Sequence, residues 1–99
     1  MTITKNQEAD KLTVALEGRL DTSTSPQLEA ELRASVIGVK ELTFDLEKLD
    51  YVSSAGLRVL LAAQKVMNRQ GGMKVTNVKP EIMEIFEVTG FVDILKIEN

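Results

Sequence analysis

The chain has 99 residues, 43 % of them hydrophobic, enough for one domain spanning 1–99 with a single core. A net charge of −3, one Tyr and no Trp argue against a nucleic-acid surface, which needs clustered cations and stacking rings. The absence of His removes the Ser-His and Cys-His nucleophile pairs, the usual transition-metal ligands and the commonest general base.

Taken along the chain, Ile3–Gln7 is expected as an opening strand that turns through the polar Glu8–Lys11 into a second. In "LTVALE", Leu12, Val14 and Leu16 alternate with Thr13, Ala15 and Glu17, the period of a strand with one face buried. The segment "TSTSPQLEAELRASVIG" predicts a helix with Ser25 as N-cap and Pro26 at the first helical position. Leu28, Leu32 and Val36 share its inner face, and Gly38 is the expected stop. "ELTFDL" alternates again, with Leu42, Phe44 and Leu46 on one side. A second helix is expected from the serine pair to about Gln70, ended by Gly71 and Gly72. "MKVTNV" is a third alternating strand. A third helix runs from Pro80 to about Gly90 with Ile82, Ile85 and Phe86 inward. The tail "FVDILKIEN" is compatible with an edge strand or with loose packing.

The expected fold is α/β, in the order β-β-α-β-α-β-α with an optional final strand or helix. It predicts a mixed sheet of four to five strands with helices mainly on one face, because one-sided alternation is not the pattern of a doubly wound sheet. No apolar run reaches the length of a membrane span and no secretory signal opens the chain, so a cytoplasmic protein with no membrane partner is expected.

Residues 50–61, "DYVSSAGLRVLL", put four small residues where a strand gives way to a helix. Serine is a common N-cap, so Ser53 and Ser54 are read first as capping residues. A phosphate on either would meet unpaired helix N–H groups and the positive end of the dipole. A nucleophilic serine is the weakest reading: no His activates it, and Val52 stands where a nucleophile elbow needs glycine.

Together with "GRLDTSTSPQLEAEL" before it and "FEVTGFVDILKI" after it, this stretch resembles the STAS domain family, most closely its stand-alone anti-sigma-factor antagonists. The resemblance covers nearly the whole chain. It implies a phosphorylation-controlled interaction module that binds an anti-sigma-factor serine kinase when unmodified and is reset by a serine phosphatase. It implies no cofactor, no metal, no direct nucleic-acid contact and no enzymatic activity of the chain's own. By position the phosphorylated serine is Ser54. Many antagonists carry Asp immediately before it, whereas this chain has Ser53, a competing acceptor. Asp21 matches an acidic position near that serine, in a loop expected at Gly18–Asp21. Ala55 and Gly56 are expected to leave backbone open to a visiting enzyme. Helical phase puts Val59, Leu60, Ala63, Val66 and Met67 on the core stripe, with Leu57, Arg58 and Leu61 forming a docking surface beside Ser54. The alternative is a STAS scaffold or ligand-binding module in a sensory or lipid-transport complex, without phosphorylation.

Overall fold

The computed structural model describes residues 1–99. Strand β1 (Thr2–Glu8) turns through Ala9 and Asp10 into β2 (Lys11–Leu20) and pairs with it antiparallel. Helix α1 (Ser25–Ser35), β3 (Glu41–Val52), α2 (Ser54–Gln70), β4 (Gly72–Thr76) and α3 (Pro80–Thr89) follow. A 3-10 turn at Phe91–Asp93 leads to a two-residue strand β5, Ile97–Glu98. The five strands stand in chain order across one sheet, with every pair after the first parallel. The expected mixed α/β order is thus observed, and the tail supplies a short edge strand.

The alternation read in the sequence sets the layers. Leu12, Val14 and Leu16 of β2, Leu42, Phe44 and Leu46 of β3, and Met73 and Val75 of β4 are buried. They meet Leu28 and Leu32 of α1, Leu60 and Met67 of α2, and Ile82 and Phe86 of α3 in one core. Thr13, Thr43, Lys74 and Thr76, at the intervening positions, are not buried. The helices therefore share one face of the sheet.

Several boundaries differ from expectation. Strand β3 runs six residues past Leu46, because the β2–β3 ladder slips register twice, between Ala15 and Glu17 and between Gly18 and Arg19. Such bulges break the period of two, so the polar pair Glu47 and Lys48 hides a strand that resumes at Leu49. Gly18 at φ 102° belongs to this irregular stretch of β2, not to a turn before α1. Thr24, not Ser25, is the N-cap of α1, so Pro26 falls one position later than expected. Helix α1 ends at Ser35, capped by Val36, before Gly38 is reached. In α2, Val66 is 42 % exposed, because it borders the gap between α1 and α2 rather than the sheet.

The far end of α2 is clasped to the chain that enters β3. The Gln70 side-chain amide donates to the carbonyls of Val36 and Val39, both at 2.7 Å. The Gly72 amide donates to the Lys40 carbonyl at 2.9 Å. A Cβ at Gly71 would stand 1.9 Å from that same oxygen, so only glycine fits there.

Candidate functional site

Parallel strands β2 and β3 end side by side, and the loops leaving them form the site. The Ser53 amide donates to the Leu20 carbonyl at 2.9 Å, which stitches the β3–α2 junction to the residue before Asp21. Ser53 is extended, with φ −92° and ψ 175°, and is the N-cap of α2. Its Oγ accepts from the Gly56 amide at 3.3 Å and its carbonyl accepts from the Leu57 amide at 2.9 Å.

Ser54 is the first helical residue and is exposed. No hydrogen bond within the chain engages its hydroxyl, whereas the Ser53 oxygen is half-buried and in use as the cap. The amides of Ser54 and Ala55 lie in the first turn, where no earlier carbonyl is in helical reach. The Ser54 side chain therefore shares the first turn of a 17-residue helix with free N–H donors and the positive end of its dipole. That arrangement suits an added anion.

Asp21 is half-buried and organises the loop between β2 and α1. Its Oδ1 accepts from the Ser23 hydroxyl at 2.8 Å, the Ser23 amide at 3.0 Å and the Thr24 amide at 3.1 Å. The Ser23 hydroxyl, foremost, holds its carboxyl below the usual carboxylate value; partial desolvation opposes this, and the Thr24 and Ser23 amides add to it. Its carbonyl accepts from the Ser25 amide at 2.8 Å and the Ser25 hydroxyl at 2.5 Å. Asp21 thus does the capping work that the sequence assigned to Ser25. The Thr24 hydroxyl is turned away toward the Arg19 carbonyl at 2.8 Å.

A shallow groove of about 540 Å³ joins the two loops, with Thr22, Ser25 and Pro26 on one wall and Ala55, Arg58 and Val59 on the other. The fold brings Ser53, Ser54, Ala55 and Arg58 to one surface, beside the loop that Asp21 holds. It does not bring Leu57 there: at 6 % exposed it sits in the core with Gly56, because the first turn of α2 presses on the ends of β2 and β3. Leu57 is therefore no exposed docking anchor, and Gly56 offers no open backbone. Leu61 is half-buried.

The STAS domain profile matches residues 1–99. The chain belongs to the STAS domain family. A STAS relative from Bordetella bronchiseptica, named "Putative anti-sigma factor antagonist BtrV", is 40 % identical over 101 residues, covering 100 % of this chain and 87 % of that one. The "Anti-sigma-B factor antagonist" of Listeria monocytogenes is 31 % identical over 99 residues, covering 96 % and 85 %. Among solved structures, that of the anti-sigma factor antagonist SpoIIAA in its unphosphorylated form matches with a TM-score of 0.85 over 99 % of this chain and 89 % of that one. At 17 % identity this last likeness is one of STAS fold.

Two residues of this STAS surface escape a reading by sequence. Arg19 lies over the Tyr51 ring, 4.3 Å from its centroid, and its Nε is 3.8 Å from Asp21 Oδ2. The stack bridges the ends of β2 and β3, where the two residues are register partners. The "DY" before the serines carried a signal, an aromatic at a strand end, but its partner is set by the bulged register. No helix of this STAS domain is long and apolar enough to cross a membrane, and no three acidic side chains gather as a metal site would require.

Proposed function

We propose that this chain is an anti-sigma factor antagonist whose binding is switched by phosphorylation of Ser54. Unmodified, it engages an anti-sigma-factor serine kinase through Ser54, Ala55, Arg58 and the loop built on Asp21. Phosphorylated, it is refused, and a serine phosphatase restores it. The observation that carries this reading is the division of labour between neighbours: Ser53 spends its oxygen on Gly56, while the Ser54 hydroxyl is exposed and unbonded. The names of the relatives supply the class of partner.

The chemistry of transfer belongs to the partners, since a chain without His has no imidazole to activate Ser54. The reading requires the cytoplasm, where a sigma factor and ATP are found. Phosphorylation adds about −1.5 to −2 charge at neutral pH. Pressed against a partner, that charge must be desolvated, which costs on the order of several kcal/mol when it is unpaired. Since about 1.4 kcal/mol is tenfold in affinity, the complex dissociates without any change of fold.

The test is titration calorimetry of the cognate kinase with wild type, Ser54→Ala, Ser54→Asp and Ser53→Asp. Ser54→Asp is expected to lose at least about tenfold in affinity while Ser54→Ala binds. Phosphopeptide mapping after incubation with kinase and ATP is expected to place the phosphate on Ser54. Equal affinity of Ser54→Asp and wild type, or a phosphate on Ser53 alone, rejects the proposal.

A further inference from the structure

Helices α2 and α3 segregate charge in opposite senses. Helix α2 carries Arg58, Lys65 and Arg69 and no acidic residue; α3 carries Glu81, Glu84 and Glu87 and no basic one. All six side chains are exposed. At about 100° per residue the three cations fall on one narrow outward stripe of α2. The three glutamates fall on the side of α3 opposite the buried Ile82 and Phe86.

None of the six makes an ion pair, although charges elsewhere do: Lys5 with Glu31, Lys11 with Glu41, Lys74 with Glu98. Like charges three and four apart on a helix repel; Glu81 has the Lys79 ammonium at the α3 N-cap to offset this in part, and the other five have no ion pair that does. Each stripe also borders exposed apolar side chains. Val66, 42 % exposed, lies beside Ala62 at the mouth of a groove completed by Val36 and Val59. Val88, 78 % exposed, stands between Glu81 and Glu84 on the α3 wheel, with Ile94 also exposed beyond the helix end.

We propose that this chain pairs with a second copy of itself, the basic stripe of α2 in each against the acidic stripe of α3 in the other. The occupant is argued from complementarity: each stripe is the opposite of one the same chain carries, in sign and in number of charges, and each has exposed apolar side chains beside it. Geometry supports a closed pair. Both helices lie in the layer on one face of the sheet, so two copies meeting helix layer to helix layer about a two-fold axis make both contacts at once. The attraction rests on exposed charges, which salt screens over about 8–10 Å. The pair is therefore weak and dependent on ionic strength. Arg58 is one turn from Ser54, so pairing covers the corner that a kinase would approach.

Analytical ultracentrifugation tests this without any kinase, on wild type, on Lys65→Glu/Arg69→Glu and on Glu84→Lys/Glu87→Lys, with circular dichroism to confirm folding. Wild type is expected to dimerise with rising concentration in low salt and to be monomeric in high salt. Each double variant alone faces like charge against like and is expected to stay monomeric. An equimolar mixture of the two variants restores opposite charges at both contacts and is expected to dimerise. Wild type that stays monomeric in low salt, a dimer indifferent to both reversals, or a mixture that fails to pair would each overturn the proposal. None of these results bears on the reading of Ser54, because no substituted residue belongs to its surface.

Discussion

Adjacent serines with the same side chain do different work at residues 53 and 54, and the backbone decides which does what. The extended ψ of 175° at Ser53 lets its oxygen reach back to Gly56, while Ser54, already helical, points its hydroxyl outward. Ser53→Ala is expected to lower stability by about 0.5–1 kcal/mol, the lower part of the N-cap range because the bond is a long 3.3 Å. Ser54→Ala is expected to stay within about 0.5 kcal/mol of wild type; urea unfolding of the two variants measures the contrast. Asp21 makes a second expectation at this scale. Its folded carboxyl is held below the ordinary aspartate value by the Ser23 hydroxyl foremost, so its contribution is complete above the unfolded value and is lost as pH falls through the folded one. The urea midpoint of Asp21→Asn should therefore drop less than that of wild type between about pH 5 and about pH 2.5. In the sequence, the serine pair was legible as cap or acceptor. The choice between them was not, because it depends on one torsion at the strand end.

Helix α2 owes its position to Gly56. A Cβ there would lie 2.7 Å from Leu20 Cγ, 2.9 Å from the Leu20 carbonyl oxygen and 2.9 Å from Val52 Cγ2. Leu20 cannot recede easily, since its carbonyl holds the Ser53 amide. Alanine would gain about 1 kcal/mol in helix propensity, but overpacking costs about 1–3 kcal/mol. Three contacts under 3 Å put that cost at about 2–3 kcal/mol, so Gly56→Ala is expected to be destabilising by a net of about 1–2 kcal/mol in urea or thermal unfolding. A neutral or stabilising result would show that the helix can shift away from the strands. Read by sequence, Gly56 is backbone left open to a visiting enzyme, and the structure fills that space with Leu20 and Val52. That its neighbours are the chain's own strands, and that the same pressure buries Leu57, follows only from the crossing of α2 over the strand ends. Strand β3 teaches a similar lesson: alternation located it, and its bulges at Leu46–Glu47 and at Asp50 concealed half its length.

Across the whole molecule, the order of elements, the one-sided core and the corner that carries the serines were legible because each rests on a local pattern: period two, period 3.6 and punctuation by Pro and Gly. What the sequence left open lies in contacts between distant segments. The Arg19–Tyr51 stack and the brief β5 both depend on register across the sheet. The clasp at the other pole, where Gly71 lies against the Lys40 carbonyl and Gln70 grips Val36 and Val39, is of the same kind. Its consequence reaches the opposite pole. A rod fastened at its tail and wedged at its head has little slack along its axis, so the phosphate proposed at Ser54 is expected to send no movement through the body. Such a mark would be read where it is written, by whatever touches that corner.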